Sequence, residues 1–368
     1  MERRRLRALT VEGFTSIRSA TVELGSLNVL VGANGAGKSN LIAALAMLGR
    51  IADAELGLFV AQSGGASTLL HGGPKISREI RLQLWSMAVG YRAELVPTAD
   101  DELVFVGETA LLNPGLKSRL PISGRGGYRE SYVSSAVDGE PSAMRSAFET
   151  VADMLRGCRV FHFHDTSANA PVKQAGYVAD NLTLHPDAGN LAAVLLRLRE
   201  EDPAVYGRIV RDIQRVAPFF RDFVLVERNE RIHLRWKQEG SDTVFPASAL
   251  SDGTLRFICL TTLLNLPEKP ALIVLDEPEL GLHPYAMVQL ADMLRSASQG
   301  SQVVLATQSV TLMDQFALED LIVAERHDGA SSFSRPDPDR LREWLEEYSL
   351  GELWLKNLIG GRPRPEQG

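Results

Sequence analysis

Apolar and polar residues alternate from Leu6 to Leu24, broken by Gly13 and closed by Gly25-Ser26. A period of two bounded by glycine predicts two strands joined by a turn. Leu27-Asn28-Val29-Leu30-Val31 then runs almost wholly apolar into a glycine-rich loop, as a buried strand of a mostly parallel sheet does. Asn40–Ile51 is rich in Leu, Ala and Ile, has no glycine before Gly49, and reads as a helix. The order is strand, glycine loop, helix. Alternation resumes at Glu79–Leu84 and Tyr91–Val96 after a Gly- and Ser-rich stretch, so a strand-rich section is expected to reach about residue 137. It contains an exposed loop at Ser123-Gly124-Arg125-Gly126-Gly127. Helical spacing follows at Pro141–Leu155, Leu191–Arg199 and Pro203–Val216.

The last third switches repeatedly between the two periods. Strands are expected at Phe223–Glu227, Arg231–Trp236, Ala271–Leu275 and Gln302–Ala306, and helices at Thr254–Leu264 and Tyr285–Ser298. Strands separated by helices imply an α/β sheet, and crossover connections make it largely parallel. The chain divides into residues 1–84, a strand-rich insertion with a helix at 85–160, a helical lobe with strands at 161–245, a second core part at 246–345 and a tail at 346–368. No internal repeat is present.

Composition narrows the classes. With 368 residues, 45% hydrophobic and 23% charged, the chain can bury a full core. Cys158 and Cys259 lie too far apart in sequence for a metal-ligand spacing or a disulfide framework, which suits a reducing cytoplasm. No apolar run of about 18 residues exists to span a membrane, and the N-terminus lacks the apolar stretch of a secretory signal. A net charge of -7 opposes a general nucleic-acid coat. Arg3, Arg4, Arg5 and Arg7, and Arg362 with Arg364, are the local basic clusters, read as solvated chain ends.

The chemistry concentrates in three places. Gly32-Ala33-Asn34-Gly35-Ala36-Gly37-Lys38-Ser39 fits the P-loop pattern in full, with a strand before it and a helix after. Glycines let main-chain N–H groups wrap a phosphate, Lys38 would neutralise the β/γ-phosphates, and Ser39 would hold Mg²⁺. The expected nucleotide contacts are Asn34, Gly35, Ala36, Gly37, Lys38, Ser39 and Asn40. The apolar strand Leu272-Ile273-Val274-Leu275 delivers Asp276 and Glu277 to its carboxyl end, where ligands bind in open α/β sheets. Adjacent residues on a strand point to opposite sides, so Asp276 is assigned to the metal and Glu277 to the base that polarises the attacking water. The third is Leu250-Ser251-Asp252-Gly253-Thr254, a Ser/Gly loop opening a helix whose unpaired N–H groups would suit an anion, or for which Ser251 or Asp252 is simply the N-cap.

Together, Gly32–Ser39, the signature-like Leu250–Thr254, and Leu275-Asp276-Glu277-Pro278 followed by Leu280-Gly281-Leu282-His283-Pro284 resemble the ABC-type ATPases of the RecF/SMC/OLD group. Most similar is its stand-alone RecF-like branch, AAA_21. Gly13-Phe14, Ser16-Ile17-Arg18, Gly64-Gly65-Ala66, Leu69–Gly73, Gly189–Ala192 and Tyr348–Trp354 extend the resemblance over nearly the whole chain. It implies a P-loop NTPase of ABC-ATPase head type, with ATP and Mg²⁺ as cofactors and a mostly parallel core sheet carrying an antiparallel β section and a helical lobe. It also implies an ATP-dependent homodimer docked head-to-tail, in which Ser251, Asp252 and Gly253 close in trans over the partner's ATP and hydrolysis at Glu277 releases the pair.

Two departures qualify the pattern. Gln308 stands where the group has a switch histidine, and glutamine can orient a water or contact phosphate but carries no proton, so hydrolysis is expected to be slow. For the group's Q-loop glutamine, Gln62 and Gln174 are candidates, and His164 with Asp165 reads as a surface pair. About 210 residues without sustained heptads separate P-loop and signature, so no long coiled-coil arm is expected. About 60 residues follow Ser309, too few for the OLD nuclease domain, so an effector would be separately encoded. The resemblance points to DNA repair, replication or anti-phage defence, with DNA as a partner. The alternative is a nucleotide-gated regulatory or adaptor subunit that controls an effector protein without binding DNA.

Overall fold

A computed structural model describes residues 5–112, 118–122, 126–133 and 142–361. Arg3, Arg4, Arg362 and Arg364, and Ser123 to Arg125 of the expected loop, lie outside the described residues. At the centre is a six-stranded sheet in the order Ala330–Ser334, Leu321–His327, Leu27–Val31, Gln302–Thr307, Leu272–Asp276 and Val160–Phe161. All its pairings are parallel except the hairpin Leu321–His327 with Ala330–Ser334.

The unbroken apolar runs follow from burial on both faces. Val29, Val31, Ile273, Leu275, Val303 and Leu305 point into one core, while Leu30, Leu272, Val274, Val304 and Ala306 point into the other. Each large aliphatic side chain so buried contributes roughly 1.5–3 kcal/mol. The first core is closed by helices Leu191–Glu201, Pro203–Val216, Asp252–Asn265 and Pro284–Ser298. The second is closed by helices Lys38–Ala52 and Ser142–Arg156 and by an antiparallel sheet. That sheet runs Ile17–Glu23, Leu6–Phe14, Ile80–Ser86, Val89–Pro97, Leu103–Leu112 and Ser118–Pro121. A parallel core sheet with an antiparallel section and a helical lobe is therefore what the chain forms.

Three expected features differ from the fold, the first being Arg231–Trp236, which is not one strand but two, Arg231–Ile232 paired with Gly176–Tyr177 and Arg235–Gln238 paired with Val244–Pro246. The strand expected at Phe223–Glu227 lies at Phe220–Phe223, where a register shift between Phe220 and Asp222 puts two aromatics three residues apart on the buried side. A bulge of this kind defeats a strict period of two. The hairpin after Gln302–Thr307 also goes unannounced, because Leu321-Ile322-Val323-Ala324 is only a brief apolar run before Glu325. Among the described residues no helix is long and apolar enough to cross a membrane. Cys158 and Cys259 are buried free thiols, both pushed up to about 12 by burial.

Candidate functional site

Strand register assembles the site. Leu30, Ala306 and Asp276 sit in one row across three parallel strands. The chain therefore leaves the sheet at one common edge as Gly32 onward, Gln308 and Glu277, the carboxyl end where open α/β sheets bind ligands.

The loop needs its glycines for specific contacts. At Gly32 a Cβ would lie 2.4 Å from the Ala324 carbonyl oxygen. Gly37 has φ +107° and precedes the helix, and a Cβ there would lie 2.2 Å from Ser331 Oγ. Both contacts come from the unannounced hairpin, which presses the loop from one side. Asn34 and Gly35 are exposed, while Ala36, Gly37 and Lys38 are buried and Ser39 faces solvent. Lys38 Nζ donates to the carbonyls of Gly32 at 2.7 Å and Ala33 at 2.9 Å. Burial lowers its pKa, opposed by the fields of Glu277, Asp276 and Glu279. Asn40 turns its amide to Ser16 Oγ at 2.6 Å, and Ser16 in turn bonds Ser331 Oγ at 2.6 Å, so this side chain fastens the loop helix to the first hairpin.

Facing the loop are carboxylates in different states of satisfaction. Asp276 is pushed up by burial and held down by the Ser39 hydroxyl, and its Oδ1 is buried with no hydrogen-bond partner. An orphaned carboxylate oxygen beside a hydroxyl is a donor set that suits a small hard cation such as Mg²⁺. Among the described residues no three His, Cys, Asp or Glu side chains converge to hold a metal by themselves. Phosphate oxygens and water would supply the remaining ligands. Glu277 adopts φ +44°, a left-handed conformation unusual for a non-glycine residue. Its N–H donates to the Ala306 carbonyl at 2.9 Å, and Gln308 Nε2 donates to its Oε1. Such strain costs about 1–3 kcal/mol and concentrates at functional sites.

His164 corrects the expectation of a surface pair. Its Nε2 lies 2.8 Å from the Asp276 carbonyl oxygen, whereas Asp165 is exposed and accepts from the Ser167 N–H. The short strand Val160–Phe161 pairs with Val274 and Leu275 and so carries this segment alongside Asp276. His162 belongs to the same group: although its surface is exposed, partial desolvation and the His164 charge lower its pKa, and the Asp276 charge opposes that. Alternation in Phe161-His162-Phe163-His164 was the available signal. Gln62 is exposed at the end of helix Leu56–Gln62, and Gln174 donates to the Ala168 carbonyl, so neither is brought to this edge by a bond of its own.

The signature-like segment stands apart from the loop. Ser251 is the N-cap of helix Asp252–Asn265, accepting from Thr254 N–H at 3.2 Å, and Ser251 and Asp252 are exposed. Among the described residues no hydrogen bond joins Ser251, Asp252 or Gly253 to the P-loop. Gly253 packs on the turn after Glu277, where a Cβ would lie 2.2 Å from the Gly281 oxygen. Arg256, on the same helix, donates to the carbonyls of Phe163, His164 and Leu280. One arginine thus ties the signature helix to the segment that supports Asp276.

The end of the described chain reaches the loop as well. Ala33 N–H donates to the Gly361 carbonyl at 2.8 Å, and Gly361 N–H donates to Glu325 Oε1 at 3.0 Å. Gly361 has φ +82°, and a Cβ there would lie 3.2 Å from Gly32 Cα. Gly361→Val is therefore expected to displace the loop and weaken ATP binding by about tenfold, equivalent to about 1.4 kcal/mol. Equilibrium binding of a fluorescent ATP analogue would check this, and unchanged affinity would sever the tail from the loop.

Comparisons with known proteins bear on the family and the fold. The family model described as "AAA domain, putative AbiEii toxin, Type IV TA system" matches residues 27–111 and 163–314. Phosphate import ATP-binding protein PstB 1 of Lactiplantibacillus plantarum is 28% identical over 126 residues, 33% of this chain and 46% of that protein. The chain thus spans less than half the length of that curated relative. A crystal structure of an Smc head bound to the C-winged helix domain of ScpA superposes with a TM-score of 0.59 at 16% identity, over 89% of this chain and 97% of that one. An Smc head domain with an extended coiled coil bound to the C-terminal domain of ScpA, derived from Pyrococcus furiosus, gives 0.57 at 16% identity, over 93% and 98%. At such identities the likeness is one of fold.

Proposed function

The chain belongs to the family of this AAA-domain model, and on that premise we propose that it binds ATP, hydrolyses it slowly and uses it to pair two copies head-to-tail. The observation that carries the proposal is the meeting of Lys38, the partnerless Asp276 Oδ1 and the strained Glu277 at one sheet edge. Main-chain N–H groups of residues 34–39 and the Lys38 ammonium would grip the phosphates. Ser39 and Asp276 would hold Mg²⁺, which neutralises charge on the β- and γ-phosphate oxygens when bound. Glu277 accepts a proton from the attacking water, and Gln308 fixes the carboxylate that does so.

The exposed Ser251 N-cap supports a role in trans, since its helix start is free to meet an anion held by another copy. Light scattering with and without ATP and Mg²⁺ tests the pairing. The mass is expected to double only with nucleotide; a monomer under all conditions, or a dimer in its absence, would remove the gated switch.

For the partner, the family resemblance favours DNA in repair, replication or anti-phage defence. The net charge of -7 and Gln308 instead favour a gated adaptor that restrains or recruits an effector protein. Binding to duplex and single-stranded DNA across a salt series separates the two, because a genuine phosphate-binding face loses affinity as salt rises. ATP-dependent, salt-sensitive binding supports DNA, and none in any buffer supports the adaptor.

A further inference from the structure

We propose that Glu279 is a positioning residue that sets Gln308 against Glu277, an inference that rests on the ATPase reading above. Glu279 is 6% exposed, two residues past Glu277 on the turn that leaves the sheet. Its Oε1 accepts twice, from the Thr307 hydroxyl and from the Gln308 N–H at 3.2 Å, while Oε2 is buried with no partner. Burial pushes this carboxyl up from its ordinary range, a cost that an apolar side chain of the same size would not carry.

What the carboxyl does is specific to the residues it holds. Thr307 is the last residue of its strand, so the Gln308 N–H lies beyond the ladder and Glu279 is its acceptor. Because Thr307 gives its proton to Glu279, its oxygen is free to accept the Ser309 N–H at 3.0 Å. Three consecutive residues, 307 to 309, are pinned through one carboxyl group. The middle one is Gln308, whose Nε2 bonds Glu277 Oε1. Glu279 touches none of the reacting atoms and acts on Glu277 through Gln308.

Three variants test this, with nucleotide affinity and the hydrolysis rate measured separately. Glu279→Leu fills the space but leaves the Thr307 hydroxyl and Gln308 N–H without an acceptor. Its kcat is expected to fall by about tenfold or more, with ATP affinity within about threefold of the parent. Glu279→Gln keeps an acceptor oxygen in the same place and is expected to restore kcat to within about threefold. In a Gln308→Ala background, Glu279→Leu should cost almost nothing further, because groups acting through one another are non-additive.

Full activity of Glu279→Leu, failure of Glu279→Gln to restore, or additive losses in the double variant would each overturn the proposal. Should Glu279→Leu not fold, Thr307→Val removes only the hydroxyl and is expected to lower kcat about threefold; no change would count against the role. Glu277→Gln run alongside separates the two levels. If it hydrolyses ATP like the parent, the assignment of Glu277 as the base fails; if it is inactive while Glu279→Leu is fully active, only the Glu279 assignment fails.

Discussion

Glu277→Gln is expected to lower ATP hydrolysis by about 10²–10⁴-fold, the usual contribution of a positioned general base, while leaving ATP bound. The change is isosteric and removes a proton acceptor, not a phosphate contact. Glu277 is held in its left-handed conformation by its own N–H bond to the Ala306 carbonyl, which the substitution keeps. The Gln308 amide can still reach the new side chain's oxygen. Nucleotide would therefore be trapped, and light scattering should show a stable dimer in saturating ATP where the parent protein cycles. If the variant stays monomeric, Ser251 has no role in trans; if it hydrolyses ATP normally, Glu277 is not the base.

Lys38→Ala is expected to weaken ATP binding by about 10–100-fold, as loss of a charged hydrogen-bond donor worth about 1.5–3 kcal/mol requires. The ammonium has two functions. It satisfies the Gly32 and Ala33 carbonyls, and it balances Asp276, Glu277 and Glu279, whose fields all reach it. Without it the fields of three carboxylates at the site are no longer balanced by the Lys38 charge, which disfavours a triphosphate. Isothermal titration with ATP and Mg²⁺ would measure the loss, and thermal denaturation would show whether the loop itself has collapsed. Binding as tight as in the parent protein would remove the phosphate assignment.

The residues proposed to grip phosphate were legible because backbone chemistry constrains them tightly. A loop that presents consecutive N–H groups tolerates few side chains, so Gly32 to Ser39 announces itself. Asp276 and Glu277 were legible for a related reason: a strand buried on both faces can end in carboxylates only where it meets solvent or ligand. The supports were not. His164, Arg256 and Gly361 act through main-chain carbonyls, and any residue provides a carbonyl, so even where alternation marks the His164 segment it does not name the partner. Glu279 could be seen as the fourth residue of Asp276-Glu277-Pro278-Glu279, yet only the fold shows that Thr307 and Gln308 end beside it. The side-chain bond from Asn40 across to Ser16 was likewise not visible in the sequence. In the fold, apolar runs located Leu27–Val31, Leu272–Asp276 and Gln302–Thr307, whereas the bulge at Phe220–Asp222 displaced one expected strand and the two-residue Val160–Phe161 was too short to announce itself.

The most direct test is a crystal structure of the Glu277→Gln protein with ATP and Mg²⁺. The triphosphate should lie along the main chain of residues 34–39, with Lys38 on its β- and γ-phosphates, Asp276 at the metal, and the side chain at position 277 one water away from the terminal phosphoryl group. Nucleotide bound elsewhere, or position 277 turned away from that group, would contradict the account.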